Sequence, residues 1–380
     1  MSADKKYLKR VLFISNGNGE DSITASIIKN LPKNILVEAY PIIGFGNAYE
    51  NICPIIGPRL HIPSQGHRQA GSIAKDVKGG MISGTWRTIK FLRSIKGKYD
   101  KVIVVGDATI PILSALAGLK IDIYLDVYKN GYAHKYIWLE RWAIKKTSLK
   151  VYCRDDILAA SLRDFGIDAI SKGNIMIDII PFGDYDVKQH RSKKSAIVVL
   201  PGSRKTTAEN LKFQVDALRK LPKELTPDIF VAVAKDISID ELSQATLMQY
   251  YEPISKQAAD LGYLSDGNLR LNLSHDVAGN IIEIADLLLS QAGTLALQAL
   301  GLGKPVISFI SDEDRPKRIA DRKLLASESH IFTSKDKNEL AQIIKKLLLD
   351  KKERNRMGKI GVSRIGSTGT LRVVIADIIS

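Results

Sequence analysis

The sequence predicts an α/β fold of two doubly wound domains facing each other across a cleft. Its 380 residues exceed what one ordinary hydrophobic core organises. Short apolar runs alternate with helix-like stretches along nearly the whole chain, which is the pattern of parallel strands covered by helices on both faces. One polar, turn-rich stretch, PFGDYDVKQHRSKKS (Pro181 to Ser195), interrupts the alternation near its middle, as an interdomain linker does. The expected division is residues 1–183, residues 184–367, and a last helix within 368–380 that packs back on the first domain.

In the first half, strands are read at Val11 to Ser15, Ile35 to Ala39, Lys101 to Val105, Ile121 to Leu125 and Lys150 to Cys153. In the second half they are read at Ala196 to Leu200, Ile229 to Ala234, Leu269 to Leu273, Leu287 to Leu289, Pro305 to Phe309 and His330 to Phe332. Ligands of open α/β sheets bind beyond the carboxyl ends of the strands, so each motif is weighed by whether it lies there.

Composition narrows the partners. With 45% hydrophobic and 26% charged residues the chain reads as globular and soluble. Its two cysteines, Cys53 and Cys153, form no CxxC or Cys/His cluster, so no disulfide framework, zinc site or other metal is expected and a reducing, cytoplasmic compartment fits. Met1 to Arg10 is polar and basic, and no apolar run approaches the ~20 residues of a spanning helix. Neither a membrane span nor an export signal is expected. The net charge of +15 calls for an anionic partner; no nucleic-acid motif is present, which leaves a phosphorylated substrate or an anionic lipid surface.

Three strand-to-helix turns carry candidate chemistry. In FISNGNGEDS, Gly17 and Gly19 lead into a helix whose first turn holds Glu20 and Asp21; those carboxylates repel a pyrophosphate and suit a hydroxyl-bearing ligand, or simply cap a helix. VVLPGSRKTTAEN has the opposite character: Gly202 permits close approach, Ser203 and the next amides donate, and Arg204 offers a planar fork for phosphate. After the run Leu287 to Leu289, Ser290, Gly293 and Thr294 set small groups and amides at a helix start, with Gln298 a little over one turn inside.

LPGSR (Leu200 to Arg204) and AGTLALQALGLGKPVI (Ala292 to Ile307) resemble the donor-site motifs of lipid-A-disaccharide synthase and related GT-B glycosyltransferases. NGNGED, VVGDATIP (Val104 to Pro111), YCRDDILAASLRDFGI (Tyr152 to Ile167) and KGN (Lys172 to Asn174) are similar to the lipid-A-disaccharide synthase-related group, and the resemblance spans roughly Val11 to Phe309. It implies a GT-B fold of two Rossmann-like domains, with the acceptor bound by the first and the nucleotide sugar by the second. Gly202, Ser203, Arg204, Ser290, Gly293, Thr294 and Gln298 then form the nucleotide-sugar site, and Gly17, Gly19 and Asn174 contact the acceptor. Asp107 takes the place of the family's functional aspartate. It follows the strand Lys101 to Val105, where a carboxylate serves equally as a base for an acceptor hydroxyl or as a helix cap; Glu20 is the second choice. Two positions depart from the relatives: Gln298 replaces a glutamate, and GNIM lacks the proline after Gly-Asn.

On a helical wheel, Thr85 to Lys96 sets Ile89, Phe91, Leu92 and Ile95 against Arg87, Lys90, Arg93 and Lys96, with Trp86 on the basic side. Such a helix either packs its apolar face into the core or meets anionic lipid, and Trp86, Arg87, Lys90 and Arg93 are the expected membrane contacts. The resulting expectation is a glycosyltransferase, peripheral to the inner face of the membrane. It moves a sugar from a nucleoside diphosphate, UDP by resemblance, to a lipid or lipid-linked acceptor without a cofactor. A nucleotide-sugar epimerase of the same fold, or a non-enzymatic module that binds anionic surfaces, are the alternatives.

Overall fold

A computed structural model describes residues 9–60, 81–203, 205–311 and 314–380. The chain divides into two compact units, Met1–Ile179 together with Thr368–Ser380, and Ile180–Ser367.

The first unit is built on β1 (Lys9–Ser15), β2 (Ile35–Pro41), β3 (Lys101–Gly106), β4 (Ile121–Asp126), β5 (Ser148–Tyr152) and β6 (Ala169–Ile170). They form one sheet in the order β2-β1-β3-β4-β5-β6, every pair parallel. Alternate residues enter separate cores: Leu12, Ile14 and Val104 pack on one face, and Val11, Phe13 and Val105 on the other. A strand that must bury both faces has no room for polar positions, which is why these strands read as unbroken apolar runs. The helix Thr370–Ile379 inserts Val374 and Ile378 into the second of those cores. Asp178 accepts from the Gly369 and Leu371 amides at 2.7 and 2.9 Å, satisfying donors at that helix's start.

The second unit holds β7 (Ala196–Leu200), β8 (Asp228–Ala232), β9 (Gln249–Tyr251), β10 (Asp260–Ser265), β11 (Arg270–Ser274), β12 (Leu287–Ser290), β13 (Val306–Phe309) and β14 (His330–Thr333). The order is β14-β13-β12-β7-β8-β11-β10-β9. Here the expectation of a wholly parallel sheet needs correction, since β10 runs antiparallel to β11 and β9 antiparallel to β10. The physical reason lies in the connection: Asp266 Oδ1 accepts from the Asn268 and Leu269 amides, closing a tight turn that returns the chain directly. Both strands also escaped the search for apolar runs, because β10 buries only alternate residues and β9 buries none fully.

Among the parallel strands of each sheet the order reverses once, between β1 and β3 in the first unit and between β7 and β12 in the second. The turns after these four strands therefore gather in pairs at the carboxyl edges, where doubly wound sheets bind ligands.

Candidate functional site

In the second unit, Leu200 pairs with Ser290, which brings the turns after β7 and β12 side by side. Gly202 has φ +107°, a conformation that penalises a side chain, and a Cβ built there lies 3.9 Å from the Gln291 carbonyl oxygen. Thr207 begins the helix after β7, and Asn210 Nδ2 donates to the Pro201 carbonyl at 3.0 Å, tying that helix back to its turn. Arg204 lies outside the described residues.

The β12 turn is pinned on both flanks. The Gln291 amide donates to the Leu200 carbonyl at 2.8 Å, and its side-chain Nε2 donates to the Phe309 carbonyl at 2.9 Å. Ser290 is fully buried and its Oγ accepts from the Ala292 amide at 3.2 Å, so it shapes the turn from beneath. Gly293 is the N-cap of the helix Thr294–Gly301, with Thr294 exposed and Gln298 buried within it. Sequence reading missed two residues here. A Cβ on Gly293 would lie 3.2 Å from Arg322 Nη2 and 3.8 Å from Arg318 Nη2, both carried by the helix Pro316–Ala326. Two guanidinium groups thus converge on the start of a helix whose amides and dipole already favour negative charge. Arg318 and Arg322 stand four residues apart, one helical turn, and that spacing was the available signal.

At the first unit's reversal, Glu20 and Asp107 follow the adjacent strands β1 and β3. Asn16 Oδ1 joins the two turns by accepting from the Asp107 amide at 3.4 Å. Asp107 is half-buried and its Oδ1 accepts from the Thr109 amide at 2.8 Å, holding the carboxylate against the start of the next helix. Glu20 Oε2 lies 3.0 Å from where a Gly17 side chain would begin, while Gly19 faces open space. Asn174 is fully buried and caps the short helix Ile175–Asp178 through the Met176 amide.

Beneath the same turn runs a buried polar chain that sequence reading did not find. Ser15 Oγ donates to Asp21 Oδ1 at 2.5 Å, so Tyr49 must donate its own proton to Ser15 across 2.6 Å. Asp21 is 1% exposed and its Oδ2 has no hydrogen-bond partner among the described residues. Desolvation raises its carboxyl to about 6; the Ser15 hydrogen bond opposes that rise and the neighbouring Glu20 charge adds to it.

Of the expected membrane contacts, Trp86, Arg87 and Lys90 are exposed on the helix Met81–Ser94. Arg93 is also exposed and donates to the Leu116 carbonyl at 3.1 Å. The opposite arc, Ile89, Leu92 and Ile95, is buried in the first unit's core, and Phe91 packs edge-on against Tyr40. The helix therefore presents its cations and one tryptophan outward while its aliphatic face is occupied. Arg68, Lys75 and Lys78, further cations that precede this helix in the sequence, lie outside the described residues. No helix among the described residues is long and apolar enough to cross a membrane, and none of them form a group of three metal-ligating side chains.

No protein-family model matches the chain, and no curated protein matches it in sequence. Its fold has clear counterparts among solved structures. MurG of Acinetobacter baumannii is 13% identical, with 97% of this chain and 98% of that one covered at a TM-score of 0.57. UDP-GlcNAc 2-epimerase of Neisseria meningitidis, solved bound to UDP-GlcNAc, is 15% identical over 97% and 99% of the two chains, at 0.55. The glycotransferase of kitacinnamycin is 13% identical over 98% of both, at 0.52. The fold is GT-B, made of two Rossmann-like α/β domains, and its counterparts include enzymes of UDP-sugars.

The Asp21 carboxyl makes a checkable prediction. A carboxyl with a folded value near 6 and an unfolded value near 3.8 binds its proton more tightly when folded, so stability is greatest below the unfolded value and is lost as pH rises through 6. Asp21→Asn removes that dependence and should stabilise the protein at pH 8 by about 1–3 kcal/mol, with the advantage vanishing near pH 4. Urea denaturation at the two pH values measures it, and a variant less stable at pH 8 contradicts the assignment.

Proposed function

We propose that the protein is a glycosyltransferase that takes a sugar from a nucleoside-diphosphate donor, a UDP-sugar, and delivers it to a lipid or lipid-linked acceptor at a membrane surface. The observation that carries the donor half is the convergence of Arg318 and Arg322 on Gly293, at a helix N-terminus beside the Gly202 turn. Negative charge builds on the diphosphate as the glycosidic bond breaks. Guanidinium groups and helix-start amides gathered at that point stabilise it, and they favour the transition state over the bound donor to the extent that the charge grows between the two. Arg204, in LPGSR, is a further phosphate contact on the ground of the sequence motif. In the first unit, Asp107 is the base that takes the proton of the acceptor hydroxyl, and Glu20 is the alternative. The Thr109 amide holds the Asp107 carboxylate in one orientation, which a base needs.

The acceptor half rests on the outward face of the helix Met81–Ser94. Its aliphatic residues are committed to the core, so Trp86, Arg87, Lys90 and Arg93 are what remains to meet an anionic headgroup layer. The lipid-A-disaccharide synthase-like identity of the reaction rests on the sequence motifs.

A second reading, a nucleotide-sugar epimerase, is favoured by the fold's likeness to the Neisseria epimerase, which matches that to MurG. One incubation separates the two. A transferase leaves a UDP-sugar's configuration unchanged and releases UDP only when an acceptor lipid is added; an epimerase alters the sugar with no acceptor present.

Two further outcomes are expected. Replacing Arg318 and Arg322 together by alanine should weaken UDP binding by about 10–100-fold in calorimetry, the range for lost hydrogen bonds to a charged group; unchanged affinity contradicts the donor site. Replacing Arg87, Lys90 and Arg93 by glutamate should abolish sedimentation with anionic vesicles and leave UDP binding intact. Full retention on the vesicles contradicts the membrane face.

A further inference from the structure

We infer that His330, acting through Ser308, is a positioning residue for the turn Ser290–Thr294, and that it acts as a neutral imidazole donating from Nε2. The inference rests on the donor-site reading for its consequence, although its geometry stands independently.

Three strands supply one residue each. Ser290 ends β12, Ser308 lies in the adjoining β13, and His330 opens β14 beyond it. All three are buried, at 0%, 5% and 5% exposure. The Ser308 hydroxyl donates to the Ser290 carbonyl oxygen, and His330 Nε2 lies 2.8 Å from the same hydroxyl oxygen. A hydroxyl has one proton, and a carbonyl can only accept. With that proton given to Ser290, His330 must supply an N–H of its own. Nε2 is therefore protonated and Nδ1 is the bare nitrogen, which agrees with Nδ1 being buried without a hydrogen-bond partner among the described residues. Burial, reinforced by the nearby Arg322 charge, pulls the imidazole from its usual value down to about 3, so it stays neutral at any ordinary pH.

The ring is held by stacking on Phe332, with centroids 4.0 Å apart. The direction of the chain is thus fixed: Phe332 sets the ring, the ring fixes the Ser308 hydroxyl, and that hydroxyl fixes the carbonyl from which the turn departs. Two residues beyond that carbonyl, the Ala292 amide is turned inward onto Ser290 Oγ, and the chain then opens into Gly293 and Thr294. A histidine that cannot ionise is a costly way to fill a core. Its hydrogen bond to Ser308, which in turn holds the carbonyl ending β12, gives it a use.

Hydrogen exchange followed by mass spectrometry on the full chain without ligand tests this directly. Ser308→Ala and His330→Leu should each speed exchange of the peptide covering Ser290 to Leu297 by about fivefold or more, leave the β7 peptide unchanged, and do so well below the melting temperature. Ser308→Thr, which retains the hydroxyl, should behave as the unaltered protein. In calorimetry the first two variants should also bind UDP about 5–20-fold more weakly. A fall in melting temperature with unchanged exchange in that peptide overturns the inference, since the residues then act only on global stability. Faster exchange in a protein that binds no UDP in any form upholds the positioning and overturns the donor reading instead.

Discussion

The rest of the structure depends on one constraint, that parallel strands deliver every following turn to the same edge of the sheet. A strand order that reverses once leaves two neighbouring turns there whose helices depart to opposite faces. In the second unit these are the turns after β7 and β12, and in the first those after β1 and β3. Helices that start at such an edge aim free amides outward, which suits an anion unless side chains oppose it. The two units differ in the charge they add. The second brings Arg318 and Arg322 to Gly293, whereas the first places Glu20 and Asp107 on its two turns. The same backbone device is thereby biased toward a phosphate in one unit and toward hydroxyl chemistry in the other.

Each edge is also supported from below by a buried serine hydroxyl whose single proton is committed. Ser15 donates to Asp21 and receives from Tyr49, while Ser308 donates to Ser290 and receives from His330. Each chain also contains one group whose charged form burial disfavours, the acceptor Asp21 shifted upward in the first and the donor His330 shifted downward in the second. Hydrogen bonds of this kind are strong in a low-dielectric interior and costly to break, so they hold a turn in one conformation. That rigidity is what a site stabilising charge by preorganised dipoles requires.

Much of this was legible in the sequence because doubly covered parallel strands leave an unmistakable trace of unbroken apolar residues. Strands from Val11 to Phe332 were read within a few residues of where they lie, and the Gly202 and Gly293 turns were read at their ends. What escaped notice had weaker local signals. The hairpin strands β9 and β10 bury alternate residues at a sheet edge, and β6 is two residues long. Arg318 and Arg322 sit about 25 residues beyond Gly293, on a helix whose proximity only the tertiary fold creates. Ser290 and Asn174 read as ligand contacts because small polar residues at strand ends invite that reading, yet both are buried and hold their own backbone. Local pattern reveals where the strands end, but not which polar residues face out from that edge.

The central claim is that a nucleoside diphosphate sits at the β7/β12 edge of the second unit. The most direct measurement is hydrogen exchange across the whole chain with and without saturating UDP. The account predicts slower exchange confined to Gly202–Ser203, Ala292–Leu295 and the helix bearing Arg318 and Arg322, with the Asn16–Asp21 and Asp107–Thr109 turns unchanged. Protection at the first unit's turns, or none in the second unit, would contradict it.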